Sequence, residues 1–295
     1  MGNDGMRCER SKMKIKMSWA RTVLMIAGML VASRDDCLGG DFIRVRETDE
    51  SAKLQTAVFS YKKDGVRVDL LGAIHLADRR YYEFLNKYFE NYEVLLFEMV
   101  GGEHLGGENR AVVEAEPPEA KGDNLAGLRK LYAAMEKALG LTGQSGVIDY
   151  MAENFVHADL TMAEFENLQK EKGESLLSFM LQAGIAAERP EREPNTLRLM
   201  RGILSGRSDL VKLEMMETMA VGDSQIDSIA GENVIITDRN ARCMEVLNAQ
   251  IKDGKQKLGI FYGAAHFPDM ERRLVEMGFE KVSSKWLTAW HVAKD

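Results

Sequence analysis

This sequence lacks a net positive charge, has few cysteines and carries none of three common enzyme motifs. Its 295 residues carry a formal net charge of −7, which argues against nucleic acid as a partner. It contains no Gly-x-Ser-x-Gly elbow, P-loop or dinucleotide-binding glycine motif, so the signatures of those three enzyme classes are missing. The composition, 45% hydrophobic and 29% charged, is that of an ordinary globular protein with a substantial core.

The three cysteines give little information about the fold. Cys8 lies in the N-terminal segment, so a disulfide between Cys37 and Cys243 is the pairing to consider in an oxidising compartment. The alternative for Cys243 is a small buried residue on a helix. Neither alternative predicts a disulfide framework.

A long hydrophobic run is missing at the N-terminus. The apolar stretch at 22–32 follows six Lys and Arg residues and is shorter than a membrane-spanning helix, which needs about 20 residues. This pattern is typical of a secretory signal peptide, which we predict over residues 1–33. An uncleaved N-terminal anchor is the alternative, and it would be the protein's membrane contact. Both alternatives predict export to the periplasm or the extracellular space, with residues 34–53 as a polar leader into the fold.

The first half of the fold is predicted to contain a strand–helix–strand unit. Apolar runs at 55–61 and 66–72 flank Asp64-Gly65, a dipeptide that favours a hairpin turn. An amphipathic helix is predicted over 78–92 and an apolar strand over 93–99. The strands on either side of such a helix are usually parallel.

The rest of the chain is predicted to be a helical insertion followed by a second, similar half. Residues 101–123 are rich in Gly, Glu and Pro and indicate a loop. The insertion covers 124–232, with helices at 125–139, 162–172, 175–187 and 196–204. The second half has a helix at 237–251, a strand at 257–263, a helix at 268–277 capped by Gly278, and one or two strands at 279–292.

The predicted fold class is therefore α/β (α+β), with a mixed β-sheet flanked by helices in one domain over 54–295. The order strand, Gly-x-x-His, helix, strand occurs twice, at 66–99 and at 257–290. The helical insertion separates these two halves.

The two Gly-x-x-His motifs are the main candidates for function. They run from Gly72 to His75 and from Gly263 to His266, each between a predicted strand and a predicted helix. Ligands of α/β proteins usually bind beyond the carboxyl ends of the strands, and glycine there lets the backbone turn or approach a ligand closely. A lone histidine in such a place is more often a hydrogen-bonded loop residue. Two in matching contexts favour one shared site, provided that their strands are neighbours with the same direction.

Glu98 is the third candidate, because it interrupts the apolar run of the strand at 93–99. A buried carboxylate is costly unless it is paired or binds a metal. The alternative to a site role is a salt bridge to a neighbouring helix. With His75 and His266, Glu98 would complete a ligand set that suits a divalent cation.

Arg239 and Asn240 begin the helix that precedes the second motif. A guanidinium can bind a carboxylate or a developing oxyanion, so Arg239 is the fourth candidate. The neighbouring Asp238 is interpreted as a helix N-cap. His157 is interpreted as structural, since it precedes a capping box formed by Thr161 and Glu164.

In this order the motifs resemble the TraB/PrgY/GumN proteins, a family that includes the TIKI peptidases. The family pattern has two Gly-x-x-His motifs, an acidic residue at the end of the strand after the first, and an Arg in a helix before the second. The matching residues here are Gly72 with His75, Glu98, Arg239 with Asn240, and Gly263 with His266. The resemblance covers about residues 54–293. It implies a mixed β-sheet flanked by helices, similar also to erythromycin-esterase-like and ChaN-like proteins, and for the TIKI relatives metal-dependent proteolysis with manganese, cobalt or zinc.

The leading hypothesis is an exported metal-dependent hydrolase of amide or peptide bonds, with a peptide or small molecule as substrate. His75 and His266 would hold a divalent cation, Glu98 would be a ligand or a general base, and Arg239 would steady an oxyanion or a substrate carboxylate. One alternative is an esterase-like hydrolase without metal, in which His75 is the general base and Glu98 orients it. The other is a non-catalytic protein that binds a peptide or haem.

Overall fold

A mixed β-sheet of eight strands forms the centre of the fold in the computed structural model. The structure describes residues 36–39, 42–109, 126–173, 195–216 and 234–294. The predicted signal peptide at 1–33 and the predicted helix at 175–187 lie outside the described residues. The strands are β1 Asp36–Gly39, β2 Ile43–Glu47, β3 Ser51–Lys63, β4 Val66–Ala73, β5 Leu76–Ala77, β6 Val94–Phe97, β7 Thr142–Gly143, β8 Phe155–His157, β9 Lys257–Gly263 and β10 Glu280–Ala293.

The sheet order is β1-β2-β3-β4-β9-β6-β8, and β10 pairs with β3. The small strands β5 and β7 pair with each other in a separate sheet. Helices flank the main sheet, as predicted. They are α1 Arg79–Phe89, α2 Ala126–Leu139, α3 Met162–Lys172, α4 Thr196–Ser205, α5 Arg239–Lys252 and α6 Phe267–Glu276. None of the helices that the structure describes is long and apolar enough to cross a membrane.

The hairpin between β3 and β4 confirms the turn predicted at Asp64-Gly65. Both residues have positive φ, 47° for Asp64 and 84° for Gly65, which is what a two-residue type I′ turn requires. The strands pair antiparallel from Lys63 opposite Val66. Because the turn sets this register, it also decides which residues of β4 face the core.

The centre of the sheet is parallel. Strand β9 pairs in parallel with β4 on one side and with β6 on the other, and β8 extends the parallel part beyond β6. The strands of the predicted strand–helix–strand unit are therefore parallel, with β9 lying between them. This insertion of a strand from the second half joins the two halves in one sheet.

The segment 34–53, predicted to be a polar leader into the fold, belongs to the sheet over most of its length. Strand β1 pairs with β2, and β2 pairs with β3 from Ile43 opposite Thr56. In β2, Ile43 and Val45 are buried, whereas Arg46 is exposed. This alternation of buried and exposed side chains is typical of a strand with one face exposed to solvent. The polar composition of the segment obscured the pattern in the sequence.

The insertion at 124–232 is mainly helical in its described part, with helices close to three of those predicted and a further helical run at 208–216. Helix α3 begins with the predicted capping box, in which the Glu164 N–H donates to Thr161 Oγ1 at 3.2 Å and the Thr161 N–H to Glu164 Oε2 at 2.9 Å. The insertion also contributes β7 and β8. Strand β8 has three residues, too few to show a strand period.

The second half repeats the order of the first, but its last strand pairs differently. Strand β9, the second Gly-x-x-His, α6 and β10 follow one another, and Gly278 follows α6 with a φ of 87°. Residues 280–293 form one strand, antiparallel to β3, with register shifts at two points. The two halves therefore share the order of their elements and differ in how the final strand joins the sheet.

Candidate active site

The predicted site residues His75, Glu98 and His266 follow the carboxyl ends of three adjacent parallel strands, β4, β6 and β9. Ala73 of β4 lies opposite Gly263 of β9, so the two Gly-x-x-His motifs begin side by side. Glu98 follows β6 on the other side of β9, and its N–H donates to the carbonyl oxygen of Phe261 at 3.2 Å. The strands are thus neighbours with one direction, the condition that a shared site required.

The glycines of the two motifs allow close approach between parts of the protein. A Cβ atom on Gly72 would lie 3.2 Å from the carbonyl oxygen of Ala57 on β3. A Cβ atom on Gly263 would lie 3.3 Å from Glu98 Oε2, the oxygen that accepts the Gly263 N–H at 2.5 Å. Gly263 therefore lets the backbone of β9 bind the Glu98 carboxylate directly.

Glu98 is an ionised carboxylate held from two sides. Its Oε1 accepts a hydrogen bond from Arg239 Nη2 at 2.6 Å, while Oε2 accepts from Gly263. His266 Nε2 lies 3.5 Å from Oε1. Burial alone would raise the pKa of Glu98, but the charges of Arg239, His266 and, less strongly, His75 hold that pKa well below its ordinary value.

Arg239 links Glu98 to a second buried carboxylate, Asp159. Arg239 is the first residue of α5, and it donates from Nε to Asp159 Oδ1 at 2.9 Å and from Nη2 to Oδ2 at 2.7 Å. The Leu160 N–H also donates to Asp159 Oδ1, at 2.8 Å. Burial would lower the pKa of Arg239, but Glu98 and Asp159 raise it. Arg239 is therefore charged and fixed between two anions.

Asp159 belongs to the site although no motif in the sequence marks it. It lies two residues beyond β8, in a segment predicted to be helical, and its side chain is fully buried. The sequence feature that could have indicated Asp159 is its position after the apolar pair Phe155-Val156, and this feature is weak. Its partner Arg239 is 80 residues further along the chain.

His266 is buried, and Asn240 fixes its tautomer. Asn240 Nδ2 donates to the His266 carbonyl oxygen at 3.0 Å and to Asp269 Oδ2 at 2.8 Å. Both partners are acceptors, so Asn240 Oδ1 must face the imidazole, where it lies 2.6 Å from His266 Nδ1. His266 Nδ1 therefore carries a proton. The other ring nitrogen, Nε2, faces Arg239 Nη1 at 3.4 Å.

His75 differs from His266 in being exposed. The backbone around it is nonetheless fixed, because the carbonyl oxygens of residues 72, 74, 75 and 76 all accept hydrogen bonds from other elements. The donors are Tyr81 Oη to Gly72 at 2.8 Å, Tyr82 Oη to Ile74 at 2.6 Å, the Gln144 N–H to His75 at 3.0 Å and Trp290 Nε1 to Leu76 at 2.6 Å. An exposed imidazole on a rigid loop is well placed to meet a substrate.

The remaining candidates have structural contacts. Asp238 precedes α5 as predicted, but it makes no capping hydrogen bond and instead pairs with Lys172 at 2.6 Å. His157 lies on β8, with Nε2 2.7 Å from the Met99 carbonyl oxygen. Cys243 is a free cysteine, fully buried on α5, so it is a packing residue and has no disulfide to Cys37.

The predicted cation ligands His75, Glu98 and His266 fit a metal in part. His266 has the geometry of a ligand, because its Nδ1–H is already bonded and its Nε2 faces the site. Glu98 fits less well, because its Oε1 is paired with Arg239 and the positive charge of Arg239 also lies beside Nε2 of His266, where it would repel a cation. A cation shared by these residues would have to displace Arg239. Within the described residues, no three His, Cys, Asp or Glu side chains are grouped so as to hold a metal ion.

Comparison with known proteins identifies no relative. No family model matches the chain, and neither a curated protein nor a solved structure matches it. The resemblance to the TraB/PrgY/GumN proteins therefore stays a prediction from the motifs. The function has to be inferred from the site itself.

Proposed function

We propose that this protein is an exported hydrolase that cleaves an amide or ester bond, with His75 as the general base. The observation that carries the proposal is the Glu98 carboxylate, which Arg239 and the Gly263 N–H hold at the edge of three parallel strands. The exposed His75 stands on a fixed loop at the same edge of the sheet, and its charge acts on the Glu98 carboxylate. Export is part of the proposal because of the sequence pattern at residues 1–33.

The charge state of Glu98 separates the roles of the two side chains. A general base works best when its pKa lies near the working pH, and the pKa of Glu98 lies well below its ordinary value. Glu98 is therefore a poor proton acceptor at neutral pH. Histidine is the side-chain type that exchanges protons near neutrality, so His75 is assigned as the base and Glu98 as the anion that stabilises the imidazolium.

The reaction then needs one water molecule and no redox change. As the water oxygen attacks the carbonyl carbon of the substrate, His75 takes one of its protons. The bond to the leaving nitrogen or oxygen then breaks, and that atom takes the proton back from His75, giving a carboxylic acid and an amine or alcohol. Arg239 acts as a positioning residue for Glu98, in place of the oxyanion role expected from the sequence, because its guanidinium already binds Glu98 and Asp159.

The metal-dependent form is the second candidate, and the tautomer of His266 favours it. Histidines that bind metals usually donate their other ring N–H to a protein acceptor, as His266 does to Asn240. His75 and His266 would hold a manganese, cobalt or zinc ion, which when bound polarises a carbonyl and lowers the pKa of its water. Glu98 would join them only after leaving Arg239.

One set of assays tests the proposal and separates the two forms. The purified full-length chain is tested on a panel of chromogenic anilides, peptides and esters, with its metal content measured and with exhaustive chelation. The proposal expects His75→Ala to lower kcat/KM by about 100-fold or more, and chelation to leave it unchanged. His291→Ala is the matched control, because His291 is also exposed but lies on β10.

Each other outcome points to a different conclusion. Full activity of His75→Ala would refute the assignment of His75 as the general base. Loss of activity on chelation, with recovery on adding manganese, cobalt or zinc, would establish the metal-dependent form. A haem absorption band, or tight binding of a peptide without turnover, would replace the hydrolase with a binding protein.

A further inference from the structure

Gln144 lies against the first Gly-x-x-His motif, although its sequence context gave no indication of the site. It begins a short turn, Gln144–Gly146, that follows β7. Strand β7 pairs with β5, which starts directly after His75. The Gln144 N–H donates to the His75 carbonyl oxygen at 3.0 Å. The position of Gln144 is thus tied to the backbone of the proposed base.

The side chain of Gln144 carries a buried acceptor with no partner. The residue is 9% exposed, and its Nε2 donates to the Tyr150 hydroxyl at 2.6 Å. Its Oε1 is the one buried side-chain atom without a hydrogen-bond partner in the part of the chain that the structure describes. Buried polar atoms of this kind are rare and destabilising, and this one belongs to a residue whose backbone binds the His75 carbonyl oxygen, so a ligand group is a candidate partner for it.

Tyr150 connects Gln144 to the Glu98 side of the site. Its ring packs against Phe97, the residue before Glu98, with ring centroids 5.3 Å apart. Burial raises the pKa of Tyr150 to about 12, and the charge of Glu98 adds to this effect. The hydroxyl is therefore neutral. The Gln144 side chain extends from the His75 loop to a tyrosine that lies within electrostatic reach of Glu98.

We propose that Gln144 is a substrate-binding residue whose Oε1 accepts a hydrogen bond from an N–H or O–H group next to the scissile bond. The inference rests on the proposed hydrolysis and adds a determinant of specificity to it. An amide carries an N–H group at the leaving position and an ester does not. Gln144 therefore favours an amide over the ester of the same acyl group.

The test compares one acyl group presented as a p-nitroanilide and as a p-nitrophenyl ester. The kcat/KM of each probe is measured for the full chain and for Gln144→Leu, and the ratio of the two probes is compared between the proteins, so that their intrinsic reactivities cancel. We expect Gln144→Leu to lower kcat/KM for the anilide by about 10- to 100-fold and to leave the ester nearly unchanged. Gln256→Leu is the control, because Gln256 is exposed and lies before β9, at the opposite end of that strand.

An equal loss on both probes, or no loss on either, would overturn the role of Gln144 while leaving the hydrolase in place. Gln144→Met keeps the length of the side chain, and it replaces Gln144→Leu in the test if thermal denaturation shows that Gln144→Leu is unstable. If the wild-type chain hydrolyses neither probe, the binding of both probes to it is measured by calorimetry. Tighter binding of the anilide that is lost in Gln144→Leu would support Gln144 as a binding residue, whereas equal binding or no binding would overturn its role; the substrate panel described above decides the hydrolase separately.

Discussion

Arg239 is the residue on which the largest effect is expected, and Arg239→Met is the change that tests it. The side chain has 11% of its surface exposed and donates to Glu98 and to Asp159, whose exposed fractions are 13% and 0%. Methionine fills a similar volume without a charge. The variant therefore leaves two buried carboxylates without their cation.

The magnitude follows from the cost of breaking a buried ion pair. Removing one partner typically costs about 3–5 kcal/mol, because the remaining charge stays buried. Since Arg239 serves two carboxylates, the upper part of that range is expected. In a domain of this size, each kcal/mol lowers the melting temperature by about 2–4 °C, which gives a decrease of about 10 °C or more. Urea denaturation provides the free energy of unfolding.

The pH dependence of the Arg239→Met defect has a definite sign. Without the guanidinium, the strongest group that lowers the pKa of Glu98 is gone, so burial moves the folded-state pKa of Glu98 above its wild-type position. A raised carboxylate pKa favours the folded state at low pH and destabilises it as the pH rises. The defect should therefore be largest near pH 7 and shrink towards about pH 4, and adding Glu98→Gln to the variant should recover part of it.

The control is Arg79→Met, which breaks the surface pair with Glu83, where the side chains are 66% and 51% exposed. Such pairs contribute at most about 1 kcal/mol. If Arg239→Met cost no more than Arg79→Met, or if its defect grew on acidification, the buried network described above would not be what holds Glu98.

Two further predictions concern Gly72 of the first motif and the loss of stability at acidic pH. Gly72→Ala should cost about 1–3 kcal/mol in unfolding free energy, because its Cβ would lie 3.2 Å from a backbone oxygen, whereas Gly146→Ala, with nothing within 4 Å, should be neutral or slightly stabilising. Equal changes in unfolding free energy for the two variants, measured by urea denaturation, would contradict this. Glu98 has a lowered pKa, so its contribution is present above the ordinary value of 4.5 and lost as the pH falls below it. Wild type should accordingly lose stability on acidification more steeply than Glu98→Gln, and parallel pH profiles would refute the assignment.

Local patterns predicted the parts of the fold that depend on neighbouring residues. The turn at Asp64-Gly65, helix α3 at Met162–Lys172 and strand β9 at Lys257–Gly263 lie where the sequence placed them. Strand β2 was missed because the polar composition of its segment obscured its alternation, and β8 was missed because three residues are too few to show a period. The position of β9 between β4 and β6 depends on contacts between distant segments, which no local pattern contains.

The site was predictable only where a motif marked it. The Gly-x-x-His pair, Glu98 and Arg239 were candidates because their residue types are unusual in their local context. Asp159 and Gln144 were not, because their importance comes from burial and from partners elsewhere in the fold. The sequence motif is compatible with an ion pair between Arg239 and Glu98 and also with a metal at Glu98. Their competition for the carboxylate becomes visible only in the three-dimensional structure.

The two Gly-x-x-His motifs look equivalent in the sequence, and their surroundings make them different. Helix α5 places Asn240 and Arg239 on His266, which is therefore buried with a fixed tautomer. His75 is held by its backbone and exposes its imidazole. The surroundings of the two motifs therefore differ in kind: Arg239 and, next to it, His266 keep Glu98 anionic, and the first motif presents an exposed imidazole at the same edge of the sheet. Under the proposed mechanism, proton transfer from water to His75 becomes easier, because the positive charge that forms on the imidazole is matched by the Glu98 carboxylate already in place.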